Sequence, residues 1–360
     1  MLKIGSVHII KRDAIPLWKS ILIRLIAVLA SLVVCAIVIF AITKYNPIDI
    51  YKTIVAGAVG TQRRLWATLK ETATLLLVSL ALAPAFKMKF WNIGAEGQML
   101  VGSTATAAVM IYFGDKLPGW LLIICMLGAS LVAGIIWGVI PAIFKAYWNT
   151  NETLFTLMLN YVALQLVNFA ITYWENRPGS HNVGTINSET HAGWLSTTLG
   201  TYGWHILVAL LVMALVFIYM KYSKQGYEIA VVGESENTAK YAGINVKKVI
   251  IRTMAISGAI AALAGFLTVS GADHSIKADS AGGRGFTAIV VAWLAHLNPF
   301  VMVLIAFFLT FLSKGSSQIA TDFNLNDSLS DVITGIILFF ILGCEFFINY
   351  RIQTRKGEKE

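Results

Sequence analysis

SKQGYEIAVVGESENTAKYAGINVKKVIIRT, residues 223–253, is a polar island in an oily chain. It carries both signs of charge, while long stretches on either side are dominated by apolar residues. Ser235 is placed to cap a helix, Glu236 follows where the positive end of the helix dipole favours an anion, and Gly243 is placed to end it. The segment between is about two turns, roughly 10 Å long at 1.5 Å per residue. A helix that short is not stable alone in water, so it must dock on something. It is either a surface loop between two membrane helices or a seat for another protein.

Outward from the island, the chain reads as membrane. Of its 360 residues 57% are hydrophobic and 13% charged, and no Asp, Glu, Lys or Arg occurs in 117–144, 153–174, 190–220 or 285–313. A charged side chain at a bilayer centre costs about 3 kcal/mol on insertion scales. Runs this clean therefore predict bilayer-crossing helices of about 20 residues each. The expected fold is all-α, one polytopic transmembrane domain over 1–360 with about ten helices, some short or interrupted. The net charge of +9 does not point to nucleic acid, because the basic residues cluster beside oily spans. They form three blocks: Lys3, Lys11, Arg12, Lys19 and Arg24; residues 221–252; and Arg351, Arg355, Lys356 and Lys359. Positive-inside logic puts all three in the cytoplasm, with 1–24 an N-terminal segment, 223–248 a loop and 349–360 a tail. Cys35, Cys125 and Cys344 stand singly within spans and read as small buried apolar residues. Residues 25–43 are long enough to remain as a helix rather than serve as a cleavable signal.

In order, the expected spans are 25–43, 72–86 (interrupted by Pro84), an apolar run to 113, 120–147, a span to 174 after the NTNET turn, and 204–220. After the island come 249–271, two short pieces at 286–295 and 299–312 split by His296-Leu297-Asn298, and 332–348 from a capping Ser330/Asp331. Six precede the island and four follow it, so the three basic blocks share one side. Asn46-Pro47 opens an external helix to about Gly60, and Gly134/Gly138 allow close helix packing. Arg63 and Arg64 would then lie outside, against the charge rule. Residues 175–203 and 272–285 are expected outside, the first as a plain loop or a small docking surface.

Two interruptions matter most: WNIGAEGQ at 91–98, and GGRG at 282–285 with HLNP at 296–299. Short, Gly/Pro-broken apolar segments in two halves of a membrane chain point to a transport path, because broken backbone at membrane depth needs protein or water for its amides. The same residues carry a resemblance. GYEIAVVGESENTAKYAGI resembles the cytoplasmic coupling loop of ABC-importer permeases of the sugar, branched-chain amino acid and nucleoside group, G-x-x-(Ile/Leu)-R-A-V-G-x-N-P-x-A-A-x-Y-A-G-I. Ala230 replaces its usual arginine and Ser235-Glu236 its Asn-Pro. NIGAEGQ is similar to the group's N-I-G-x-E-G-Q, and GFTAIVVAWLAHLNP to its G-(Y/F)-G-F-x-x-I-A-V-A-L-L-G-x-x-x-P stretch, where His296 and Asn298 depart from a glycine-rich pattern.

The resemblance implies a permease subunit of an ATP-driven importer in the cell membrane, closest to the nucleoside branch, with monosaccharides or branched-chain amino acids as alternative cargo. Its implied partners are an ABC ATPase that carries the ATP, a second permease subunit, an extracytoplasmic solute-binding protein and the lipid bilayer. Gly233, Glu234, Thr238, Ala239, Tyr241, Ala242 and Gly243 would couple to the ATPase through the 234–244 helix. Candidate path residues are Asn92, Glu96, Gln98, Asn160, Gln165, Asn168, Phe286 and Asn298. Glu96 either faces a polar path or braces a broken helix with Asn92. Arg284 either attracts an anion or anchors at the interface. The chain has no G-x-x-x-x-G-K-(Ser/Thr), no H-E-x-x-H, no G-x-S-x-G and no histidine cluster, so neither ATP hydrolysis nor a catalytic, cofactor or metal site is expected in it. A self-contained secondary transporter or channel remains the reading from another class.

Overall fold

A computed structural model describes residues 3–4, 7–11, 16–323 and 327–354; Arg12, Arg355, Lys356 and Lys359 of the basic blocks lie outside these. The chain divides into two compact units, Met1–Leu65 with Phe311–Glu360, and Trp66–Thr310.

In the smaller unit, helix α1 (Leu17–Thr43) packs along α13 (Asp327–Asn349). Arg24 of α1 donates through Nε and Nη2 to Glu345 Oε1 of α13, at 2.9 and 2.7 Å. Asn46 caps α2 (Pro47–Val59) by accepting from the Ile48 amide, as the Asn-Pro pair predicts. Arg64 Nη1 donates to the Ala56 carbonyl near the C-terminus of α2, which gives that cation a local acceptor. Helix α13 begins at 327, so residues 330 and 331 lie inside it rather than capping it. The unit is not purely helical. Strands β1 (Lys3–Ile4), β2 (Val7–Lys11) and β3 (Tyr350–Thr354) form an antiparallel sheet in the order β1-β2-β3. Pairing of β2 with β3 brings the first and last described segments together.

The larger unit is built on α3 (Gln62–Lys87), α4 (Ala95–Phe113), α5 (Gly119–Trp148), α6 (Glu152–Tyr173), α7 (Gly203–Tyr222) and α10 (Val246–Thr268), with α8 (Lys224–Glu234) and α9 (Glu236–Tyr241) between the last two. A π-turn, Val269–Asp273, ends α10; α11 (Arg284–Leu294) and α12 (Pro299–Asp322) follow, α3 and α12 each running on into the smaller unit. Helices α4, α5 and α10 form the core through glycine contacts. A Cβ on Gly134 would lie 2.3 Å from the Gly258 carbonyl oxygen, and one on Gly138 2.5 Å from that of Met254. These glycines let backbone approach backbone, the close packing expected of the pair.

Seven helices are long and apolar enough to cross a membrane among the described residues, against the ten expected. Of the three unmatched spans, 332–348 is a 17-residue apolar stretch of α13, and the other two have physical causes. AEGQMLVGSTATAAVMIYF in α4 is rich in Gly, Ser and Thr and is packed among α5, α6 and α10. Helix α11, with 11 residues, is only about 16 Å long, half a bilayer. Helix α3 begins ten residues before the expected 72, since Arg63, Arg64, Lys70 and Glu71 are helical rather than excluded.

Candidate functional site

The site begins where α3 stops. Lys89 takes a left-handed conformation (φ 59°), the chain runs without helix to Gly94, and α4 starts at Ala95. A helix start leaves amide donors without partners; here they are met by side chains. Asn92 is fully buried. Its Oδ1 accepts from the Gly94 amide at 2.9 Å, and its Nδ2 donates to Ser257 Oγ of α10 at 3.0 Å and to Gln98 Oε1 at 3.3 Å. Asn160 of α6 accepts from the Gly97 amide and donates to the Ile93 carbonyl, both at 2.9 Å. Thr156 Oγ1 accepts from the Ile93 amide.

Glu96 reaches across the unit to α11. One carboxylate oxygen accepts from the Gly283 amide at 2.8 Å and the other from the Gly285 amide at 2.6 Å. An anion thus sits at the positive end of α11, doubly hydrogen-bonded. Gly283 has φ +70°, and a Cβ on Gly285 would lie 2.5 Å from the Glu96 amide nitrogen, so both glycines are needed for the approach. Arg284, between them, turns to Glu71 of α3, with Nε at 3.0 Å and Nη2 at 2.5 Å from Oε2, and donates to the Ser280 carbonyl. Arg284 therefore joins an interior ion network instead of attracting an anion or anchoring at an interface. Lys70 extends that network to Glu71 at 3.4 Å and Asp273 at 3.5 Å, and its ammonium lies over the Tyr202 ring. Lys70 and Glu71 side chains are 16% and 12% exposed, so the pairs are screened far less than surface ones.

The other path candidates lie apart. Gln165 is exposed and Asn168 half-buried; they contact each other at 3.5 Å and nothing in the Asn92–Glu96 set. Phe286 is exposed on α11, and Asn298 Oδ1 accepts from the Phe300 amide at the start of α12.

The polar island holds two helices where one was expected. Ser223 caps α8, accepting from the Gly226 amide, and Ser235 caps α9, accepting from Thr238. Gly243 at φ +75° follows α9, with the Ile244 amide bonded back to the Ala239 carbonyl. Gly233 is buried, and a Cβ there would meet the Lys87 carbonyl oxygen at 2.1 Å. Ala239 is rooted in an apolar cluster with Met88, Phe90, Ile229, Val232 and Val249. Glu234, Thr238, Tyr241, Ala242 and Gly243 are exposed, Tyr241 at 92%.

Residues 175–202 fold back onto the helix ends. The Ile186 amide donates to the His274 carbonyl and the Leu195 amide to that of Ser270. Trp194 stacks on His274 with centroids 3.8 Å apart. Glu175 accepts from the Gly179 and His181 amides, which hold its carboxyl below the usual range. Burial lowers the His274 pKa.

Glu71, Lys70, Asp273, Ser257 and Thr156 carry this architecture and were not singled out from sequence. The available signal was Lys70-Glu71 inside an otherwise apolar helix and the charged 272–285 turn.

The family described as "Branched-chain amino acid transport system / permease component" matches residues 65–342. The chain is 30% identical over 332 residues to the guanosine ABC transporter permease protein NupP of Bacillus subtilis, covering 90% of this chain and 93% of that one. It is 28% identical to the nucleoside ABC transporter permease protein NupB of Lactococcus lactis (95% of each). It is also 28% identical to the glucose ABC transporter permease protein TsgB13 of Haloferax volcanii (95% of this chain, 92% of that one).

Proposed function

We propose that a nucleoside is the cargo of this chain, which belongs to the permease component family of branched-chain amino acid transport systems and is a multi-pass ABC importer permease subunit. The cargo reading is supported by two relatives named for guanosine and nucleosides, each aligned over nine-tenths or more of both chains. A monosaccharide is the second reading, favoured by the glucose permease relative of similar coverage.

The observation that carries the mechanism is the division of labour between buried and outward-facing residues from the end of α8 to the turn after α9. Ala239, like Gly233 just before the helix, is buried in the permease, while Glu234, Thr238, Tyr241, Ala242 and Gly243 face outward. A separate ATPase grips the outward set; the buried pair transmits the push to the α3–α4 turn that Gly233 touches. Closure on ATP then favours one arrangement of the permease through its differential contacts. Two such subunits enclose the path, and a solute-binding protein delivers cargo at the face formed by 175–202. Asn92, Glu96, Gln98 and Asn160 hold the path's walls in place, while Gln165, Asn168 and Phe286 are left to face the cargo.

The test is uptake of labelled guanosine, glucose and leucine into proteoliposomes holding the complete complex. ATP-dependent guanosine uptake is the expected result. Glucose or leucine uptake without guanosine would overturn the cargo, and uptake by the permease with no ATPase present would overturn the coupling.

A further inference from the structure

A cavity of about 480 Å³ opens between the end of α3 and the end of α11. Its wall is aromatic: Phe86, Phe90, Trp91 and Trp293, with Trp91 and Trp293 stacked at 5.3 Å and 26°. Lys89 and His296 supply its polar groups. Each of these two follows its helix in the left-handed conformation, Lys89 after α3 (φ 59°) and His296 after α11 (φ 47°), and Leu297 follows suit at φ 59°. The Phe90 amide bonds back to the Ala85 carbonyl and the Leu297 amide to that of Ala292, so both ends are helix C-caps. Glycine takes that position without steric cost. Here two helices that meet at one cavity each hold a long polar side chain there instead, and both side chains line the cavity.

We infer that this cavity is a binding subsite for a purine base, its ring stacked on the Trp91–Trp293 wall and its acceptor edge facing Lys89 and His296. The chemistry matches in three respects. The volume lies within the range of small-molecule sites, about 300–1,000 Å³. Aromatic faces stack flat bases. The O6 and N7 atoms of a guanine are adjacent acceptors, and an ammonium and an imidazole are donors. The inference rests on the nucleoside reading and adds to it the residues that hold the base. Trp91 also adjoins Asn92, so occupancy of the cavity bears directly on the braced start of α4.

The test uses the complete complex in proteoliposomes with guanosine as the probe. Lys89→Gly and His296→Gly place glycine where the backbone favours it, so both variants should unfold at the wild-type temperature or above. Each should nevertheless weaken half-saturation for guanosine uptake at least fivefold; Trp293→Ala should do so more strongly, and Trp293→Phe should restore part of the loss. Photolabelling with 8-azidoguanosine should mark peptides containing residues 86–93 or 292–298. If wild type carries no guanosine, the nucleoside reading fails and takes this one with it. If wild type carries guanosine but both glycine variants match it and the label falls elsewhere, the subsite alone is overturned. Disulfide formation between Trp293→Cys in two copies, with no labelling there, would also overturn it and assign the cavity to an interface.

Discussion

Two helix starts in the larger unit are closed in opposite ways. Helix α9 is capped by its own neighbour, Ser235, which accepts from the amide three residues on. Helix α11 is capped by Glu96, whose carboxylate accepts from amides 187 and 189 residues away. The first needs only four neighbouring residues, although the short helix it starts still depends on docking. The second exists only when two distant parts of the chain have already met, and so it fixes tertiary structure as well as a helix end. That difference separates the exposed element from the buried frame.

Removing the remote cap should have the largest effect. Glu96→Ala leaves the Gly283 and Gly285 amides without acceptors at a helix start, at about 1–3 kcal/mol for each buried orphan. A loss of about 3 kcal/mol, read as a lower unfolding temperature in nanodiscs, is expected together with loss of transport. A variant as stable as wild type would show that Glu96 is not a brace. Next comes the contact joining the two regions: Gly233→Val drives a side chain into the Lys87 carbonyl, an overpacking cost of about 2 kcal/mol. Its removal of transport should exceed that of any outward-facing substitution in α9. Ser235→Ala should cost about 1 kcal/mol or less, visible as faster amide exchange confined to 236–241.

A smaller effect is expected from acid. Burial holds the His274 pKa below its usual 6.5, so the folded chain binds fewer protons than the unfolded one as pH falls through that value. The stabilisation is present above pH 6.5 and lost progressively below it, and protection of the 186 and 195 amides, after correction for the slower intrinsic exchange in acid, should be lower at pH 5 than at pH 7.5. His274→Phe, which keeps the stack on Trp194 without a titrating group, should weaken the dependence. Least in stability is Tyr241→Ala, within about 0.5 kcal/mol for so exposed a ring. That variant should still fail to retain the ATPase on purification.

The same contrast explains what could be read from sequence. Caps at Asn46 and Ser235 were legible because donor and acceptor lie within three residues. The glycine pair in α5 was legible because small residues four apart share one helix face. The ion network was not. Lys70, Glu71 and Asp273 each look like an interruption of an apolar run until Arg284 is placed beside them, and Glu71 lies 213 residues from Arg284. For that reason the expected start of α3 falls too late, and Arg284 reads as an anion attractor or an interface anchor. Glu96 could be picked out as significant, but its partners could not. Helix α8 was missed because its start signal, Ser223, sits directly against the end of α7.

The unbroken ladder of α10 has a mechanical consequence. From Val246, one residue past its Asn245 cap, to Thr268, next to the turn that holds Asp273, the helix runs for 23 residues, about 35 Å. A continuous helix resists compression along its axis, so an ångström of displacement imposed near α9 arrives almost undiminished beside the Lys70–Glu71–Arg284 charges. The glycine seam with α5 decides how it travels: backbone nests against backbone there, and Ser130 Oγ donates across it to the Ala262 carbonyl at 2.9 Å, so α10 carries α5 along like a splined shaft.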